Sequence, residues 1–175
     1  ARDALCIGAC CEGTFDLATL AAALALPQAR VADDLWQAVQ LGLVVPLDEG
    51  YKYAADGAEG GAARYRFAHD RVHEAAYALV PEGERPALHL RIGRLWRDGA
   101  AGRYGVGVFE VVNQLDLGRA LIDDPDERRR LARLNLEAAT RARNATAYAS
   151  AARWLDVGCE LLAAGDLAAD SLARE

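Results

Sequence analysis

The start of the chain has apolar residues at helical spacing. Residues 3–11 are predicted to form a short apolar helix. Asp16 can cap a second helix, "LATLAAAL", which follows it directly. Pro27 suits the first turn of a third helix, and Gly42 is a natural stop for it. The apolar stripe of this third helix is predicted to be Leu35, Trp36, Val39 and Leu43.

The pattern then changes to the two-residue period of β-strands. "LVVPL" and "YKY" are followed by "RYRFA", in which Tyr65 and Phe67 alternate with arginines. The segment "DGAEGGAA" between them has the composition of a loop. Three helices followed by a small antiparallel ribbon predict a winged helix-turn-helix domain, which we place at residues 1–82.

Helical spacing returns at His69. The first helix of this part is predicted to run to Pro81, and Pro86 can open the next, which glycines 99 and 102 would end. A further apolar helical segment, "VFEVVNQLDLGRALI", follows.

The segment "DDPDE" is a strong helix start. Asp124 can cap the helix, Pro125 fits its first turn, and Glu127 has the spacing of a capping-box partner.

The helix that begins at Tyr148 resembles the second helix of a tetratricopeptide repeat. Ala138 and Ala139 then occupy the close-packing positions of the first helix, and Ala145-Thr146-Ala147 replaces the usual Gly-Asp turn. One repeat cannot bury its own face, so we expect further helical repeats beyond Glu175. Residues 83–175 are predicted to form this helical region, with a packing face of Tyr148, Ala151, Trp154, Leu155, Gly158, Cys159 and Leu162.

Composition narrows the range of functions. Hydrophobic residues make up 53% of the chain and aromatic residues 7%, which suits closely packed helices. The net charge of −6 argues against general binding of nucleic acid or anionic membranes. No stretch approaches the roughly 20 apolar residues of a membrane span. The chain contains no methionine, so we expect it to be a piece of a longer protein. Its four cysteines form no C-x-x-C pair, which favours a reducing cytoplasm.

No catalytic or metal site is predicted. His69 and His73 have the spacing of the zinc motif H-E-x-x-H, but Asp70 is shorter than the required glutamate. His89 is the only other histidine, and no ligand cluster accompanies it. The only lysine, Lys52, lies in "GYKY" and so is not part of a phosphate-binding loop. We therefore expect the chain to be no enzyme by itself and to hold no cofactor alone.

A winged helix raises the alternative of a DNA-binding transcriptional regulator. The third helix would be its recognition helix, and Gln37 and Gln40 there could read bases. However, Asp33 and Asp34 on the same helix oppose approach to phosphates. DNA binding is therefore kept as the alternative.

Two long segments resemble a bacterial family of large signalling ATPases of the AAA/STAND type. They are "YRFAHDRVHEAAYALVPEGERPALHLRIGRLW" and "FEVVNQLDLGRALIDDPDERRRLARLNLEAATRARNATAYASAARWL". In this family an ATPase domain precedes a winged helix and helical repeats, commonly fused to serine/threonine kinase, histidine kinase or other output modules. The family often has leucine in place of Ala68, glutamine in place of His73 and histidine in place of Gln114.

The resemblance implies a role for His69 and Asp70. STAND proteins carry a similar x-His-Asp after the wing strand, where the histidine contacts the ADP phosphates and holds the resting state. A helix amino end also favours anions. The other interpretation is that His69 packs or caps and Asp70 caps. His73, one turn later, is expected at the surface or partly packed.

The expected fold is mainly α: a winged helix-turn-helix with a small antiparallel β-ribbon, followed by TPR-like α-helical hairpins. The expected role is regulatory, linking the nucleotide state of an adjacent ATPase domain to an output domain. The expected partners are those two domains and other proteins bound through helical repeats, with ATP or ADP held only by the full-length protein.

Overall fold

The computed structural model describes residues 1–11, 13–50, 63–99 and 106–172, with side chains to residue 163. These residues are mainly helical, with eight α-helices and a small antiparallel sheet of three strands. The predicted strand "YKY", the predicted loop up to residue 62 and the predicted stop at glycine 102 lie outside the described residues. In chain order the elements are α1 (Arg2–Cys10), β1 (Thr14–Asp16), α2 (Leu17–Leu24), α3 (Gln28–Gln40), β2 (Val44–Pro46), β3 (Arg64–Phe67), α4 (Asp70–Ala78), α5 (Arg85–Asp98), α6 (Val108–Leu117), a 3-10 turn (Arg119–Leu121), α7 (Pro125–Asn144) and α8 (Tyr148–Leu172).

The predicted aspartate caps are present. Asp16 accepts a hydrogen bond from the backbone N–H of Thr19 at 2.7 Å and so caps α2. Asp124 accepts from the backbone N–H groups of Asp126 and Glu127 and so caps α7. Because these bonds satisfy N–H groups that have no partner inside the helix, both starts follow directly from the local sequence.

Strand β3 lies at the centre of the sheet, which has the order β1-β3-β2. Phe15 of β1 pairs with Tyr65, and Val45 of β2 pairs with Arg66. Tyr65 and Phe67 are buried while the two arginines of β3 are exposed, as the two-residue period predicts. Strand β1 was not predicted, because three residues are too few to establish a period.

Helix α5 contributes to two hydrophobic clusters. Its Ile92 is fully buried in the core formed by α1, α2, α3 and the sheet. Leu90, on another side of α5, packs with Leu115 and Leu131 in a second core. Gly118 permits this close packing, since a Cβ there would lie 2.5 Å from the Cβ of Leu90. The helix that was predicted to open the second domain therefore also completes the core of the first.

Helices α7 and α8 pack as an antiparallel hairpin. The contact is built from small residues, with Ala138, Ala139 and Ala142 all buried. Trp154 of α8 stacks on Phe109 of α6 with ring centroids 5.0 Å apart. The two alanines predicted at the close-packing positions are therefore confirmed as buried.

Three helices end with the same backbone motif, which requires a left-handed residue. Gly42 supplies it after α3 with φ 68°. Ala25 and Thr146 adopt φ 54° and 61° after α2 and α7, a conformation in which a side chain is strained. The closing bonds run from Leu26 N to Ala21 O, from Leu43 N to Ala38 O and from Ala147 N to Ala142 O.

Several side chains predicted to pack are exposed instead. Trp36 on α3 is 49% exposed and Tyr148 is 65% exposed. Leu155 and Leu162 are also about half exposed, and Cys159 is exposed. Within the described residues, no helix combines the length and the apolar character that crossing a bilayer requires.

Candidate functional site

His69 lies at the start of α4, two residues after the end of strand β3. It is the N-cap residue, with extended backbone angles (φ −145°, ψ 148°), and its carbonyl accepts the helix bonds of Val72 and His73. Its side chain is exposed and makes no capping bond. Among the residues that the structure describes, the imidazole has no hydrogen-bond partner, so it is accessible to a ligand.

Asp70 occupies the first turn of α4 and is exposed. The expected cap by Asp70 is not formed, because the N-cap position belongs to His69. A carboxylate in the first turn still interacts favourably with the positive end of the helix dipole. The amino end of α4 therefore presents an imidazole, a carboxylate and backbone N–H groups to solvent.

His73 is held inside the fold and does not act with His69. Its Nε2 lies 2.9 Å from the carbonyl oxygen of Ala9, so this nitrogen must carry a proton and donate it. Its ring also lies 5.3 Å from the ring of Phe67. His73 thus attaches α4 to the end of α1, in agreement with the expectation of a partly packed side chain.

A protonated Nε2 cannot bind a metal ion. Within the described ranges, no three histidine, cysteine or acidic side chains lie close enough together to hold one. The position of His73 in this spacing is therefore accounted for by its internal contacts.

A chain of buried polar groups runs through the middle of the molecule. His89 Nδ1 lies 2.8 Å from Gln114 Oε1, and Gln114 Nε2 donates to the carbonyl of Cys10 at 2.8 Å. The hydroxyl of Tyr77 lies 3.2 Å from His89 Nε2. The chain joins α1, α4, α5 and α6 across both hydrophobic cores.

The backbone carbonyl of Cys10, at one end of this chain, determines the direction of its hydrogen bonds. A carbonyl only accepts, so the Gln114 amide must direct its NH₂ to Cys10 and its oxygen to His89. His89 therefore donates from Nδ1, and its Nε2 forms the hydrogen bond with the hydroxyl of Tyr77. Each buried group obtains a partner, as the low polarity of the surroundings requires.

Glu127 links α7 to α5 through two arginines. Its Oε1 accepts from Arg94 Nε at 2.9 Å and from Arg97 at 2.6 Å, and its Oε2 accepts from Arg94 at 2.6 Å. The Glu127 side chain is only 8% exposed. The bond from Arg94, and then that from Arg97, lowers the pKa of Glu127 to about 2 despite the opposing effect of burial. The predicted capping-box role of this carboxylate is replaced by the ion pairs.

Asp116 of α6 and Asn135 of α7 form a second interhelical contact. Asn135 Nδ2 donates to Asp116 Oδ1 at 2.9 Å. Burial raises the pKa of Asp116 to about 6, although this bond partly opposes the shift. Within the described residues, Asn135 Oδ1 is buried without a hydrogen-bond partner.

Sequence reasoning missed the buried chain and the arginine pair. His89 gave no local signal, because its partners Tyr77 and Gln114 lie 12 and 25 residues away. For Gln114, the indication in the sequence was that a polar residue occupies a core-facing position of α6. For Glu127, its spacing from Asp124 indicated a capping box and gave no indication of the two arginines.

Comparison with known proteins gives one informative similarity. The chain is similar to the hybrid signal transduction histidine kinase G of Dictyostelium discoideum, with 32% identity over 115 residues. The match covers 57% of this chain but only 3% of that kinase. No family model and no solved structure matches the chain. The chain is therefore similar to a short segment of a signalling protein.

Proposed function

We propose that this chain is the regulatory region of a multidomain signalling ATPase of the AAA/STAND type. In this role residues 1–82 are a winged helix and residues 83–175 a TPR-like helical region. The chain carries no catalysis itself and couples the nucleotide state of an adjacent ATPase domain to an output domain. The similarity to a signal transduction histidine kinase supports a signalling role.

The order of elements supports the winged-helix assignment. One helix, a short strand, two helices and two further strands follow each other, and the last strand lies at the centre of the sheet. The paired strands β2 and β3 are the base of the wing.

The single observation that carries the proposal is the position of His69. It follows strand β3, begins α4 and is exposed without a partner in the described part of the chain. An imidazole beside the free N–H groups of a helix amino end can donate to a phosphate. Asp70 would position the turn through the helix dipole rather than bind the phosphate itself.

Helix α5 provides the route from this sensor to the helical region. The Tyr77–His89–Gln114–Cys10 chain connects both parts. Helix α5 also places Ile92 in the first core and Leu90 in the second. A change at the start of α4 would then move α5 and α6 together, as a two-state mechanism requires.

The DNA-binding alternative has less support. Asp33 and Asp34 lie side by side on α3, and Asp33 is exposed. These charges repel phosphates at the surface that would enter a groove. Protein contact suits the exposed Trp36 better, since large aromatic side chains are enriched in protein interfaces.

The test is ADP binding by the full-length protein. We expect His69→Ala to weaken ADP binding roughly 10- to 150-fold, because a hydrogen bond to a charged group contributes about 1.5–3 kcal/mol. The variant should also signal without stimulus. His73→Ala is the matched control: it removes a histidine one turn away whose bond is internal, and ADP affinity should stay unchanged. An unaltered ADP affinity in His69→Ala would refute the sensor role.

A further inference from the structure

An apolar groove of about 310 Å³ lies along the α7–α8 hairpin. Its lining includes Trp154 together with three leucines that are about half exposed: Leu136 at 57%, Leu155 at 45% and Leu162 at 50%. Single exposed leucines need no explanation, but three that line one groove are typical of a contact surface.

The spacing of the lining residues indicates the shape of what fits. Leu155, Cys159 and Leu162 are separated by four and three residues along α8, so they form one row. Ala132 and Leu136 are four residues apart and form a row on α7. Two apolar rows that follow the axes of two packed helices leave a trough into which the ridge of a third helix fits.

The charged residues that line the groove indicate which side chains the bound helix carries. The charged residues among the groove lining are Arg129 and Arg133, one turn apart on α7, and α8 contributes none. Arg129 is paired with Asp126 at 2.7 Å, whereas Arg133 is exposed and has no carboxylate partner among the described residues. The groove is therefore apolar with a positive edge on one side only.

We infer that this groove binds an amphipathic helix that carries acidic side chains one turn apart along the edge facing α7. Its leucine-type ridge fills the space between Leu136 and Leu155, and its carboxylates meet Arg133 and Arg129. This inference rests on the proposed role of the helical region in protein contacts and names the chemistry of the partner.

The probe is a designed helical peptide added to the whole 175-residue chain. It has leucines at i, i+4 and i+7 and two glutamates along one flank, and the control peptide has lysines in place of the glutamates. We expect the glutamate peptide to bind roughly fivefold or more tightly than the lysine peptide, in a salt-dependent manner. The double variant Arg129→Glu/Arg133→Glu should reverse this preference, and Leu155→Asp should abolish binding of both peptides.

Cys159 supplies an independent readout of the place of binding. It is exposed in the groove, whereas Cys10 and Cys11 are buried. The glutamate peptide should slow alkylation of Cys159, measured on the proteolytic peptide by mass spectrometry, and leave Cys6 unaffected.

Three results would overturn the inference: no binding of the glutamate peptide, equal binding of both peptides, or self-association of the chain that protects Cys159 without peptide. The last would make a second copy the occupant. The ADP test of His69 is independent of these results, so failure of either proposal is recognised separately.

Discussion

His89 on α5 and Gln114 on α6 are joined by a hydrogen bond of 2.8 Å between two buried side chains. The same Gln114 donates to the carbonyl of Cys10 on α1. One amide therefore satisfies groups on two other helices, and its loss leaves both without a partner.

We predict that Gln114→Ala lowers the free energy of unfolding by about 2–4 kcal/mol, since each buried group left unpaired costs about 1–3 kcal/mol. Urea unfolding would measure this. Gln37→Ala, an exposed glutamine on α3, is the control and should change stability by less than about 0.5 kcal/mol. A loss of less than about 1 kcal/mol for Gln114→Ala would contradict the buried chain.

Glu127 should make the protein sensitive to acid. Its pKa falls from the usual 4.5 to about 2 in the folded state, chiefly through the bond from Arg94. The folded state therefore binds the proton less readily than the unfolded state. The stabilisation is complete above pH 4.5 and is lost as pH falls towards 2. It amounts to roughly 2–3 kcal/mol, given the low exposure of the side chain.

Glu127→Gln removes this dependence. We expect the variant to be less stable than the parent at pH 7, and the difference to shrink in acid as Glu127 of the parent becomes protonated. Glu137→Gln, at an exposed pair with Arg141 on the same helix, is the control and should change stability at pH 7 by less than about 0.5 kcal/mol. A constant gap between parent and Glu127→Gln from pH 7 to about pH 2.5 would refute the assignment.

Asp116 should act in the opposite direction. Burial raises its pKa from 3.8 to about 6, so the folded state resists the charge that the unfolded state carries freely. Stability due to this group is lowest above pH 6 and rises as pH falls towards 4. We expect Asp116→Asn to be more stable than the parent at pH 7.5 by about 1–2 kcal/mol. The gain should disappear near pH 4, and thermal unfolding across this range would measure it. The control Asp33→Asn, at an exposed position, should change stability at pH 7.5 by less than about 0.5 kcal/mol.

Local signals predicted the element starts, and non-local contacts account for the errors. Asp16 and Asp124 cap their helices as the sequence indicates, because a cap involves only neighbouring residues. Trp36 and Leu155 have helical spacing but lie at the edge of the buried face, which spacing alone does not resolve. Glu127 has the sequence spacing of a capping-box partner. Its carboxylate instead accepts hydrogen bonds from arginines about 30 residues away.

Thr146 at the α7–α8 turn is a strained residue that glycine should relieve. Its φ of 61° suits glycine, whereas a β-branched side chain is costly there. We predict that Thr146→Gly raises the unfolding free energy by about 0.5–1 kcal/mol, the strain removed exceeding the entropy cost of glycine. Ala145→Gly is the matched control. Ala145 has φ −89°, where glycine relieves no strain, so this variant should lower the unfolding free energy by about 0.5–1 kcal/mol. Equal effects of both substitutions in denaturant unfolding would argue against this turn geometry.

The candidate site was predicted only in part. The position of His69 between a strand and a helix was predicted correctly, because it follows from the local sequence, and its role in binding stays a prediction. The hydrogen bonds of Gln114 and Tyr77 were not predicted, because a buried polar chain forms only when four elements of the fold come together. Asp70 was expected to cap α4, and the structure gives that position to His69.

In the part of the chain that the structure describes, no side chain caps the amino end of α4, so substitutions of His69 can test its role in ligand binding separately from its role in stability. The N-cap histidine makes no side-chain bond, so His69→Ala should leave the stability of this chain nearly unchanged. An aspartate there can accept from the first-turn N–H groups, and we expect His69→Asp to stabilise the chain by about 1 kcal/mol. In the full-length protein the same aspartate would repel a phosphate, so His69→Asp should weaken ADP binding at least as much as His69→Ala. Asp70→Ala should lose about 0.3–1 kcal/mol through the helix dipole. If His69→Asp lowered the thermal stability of the chain, the imidazole would have a structural role that the observed geometry does not contain.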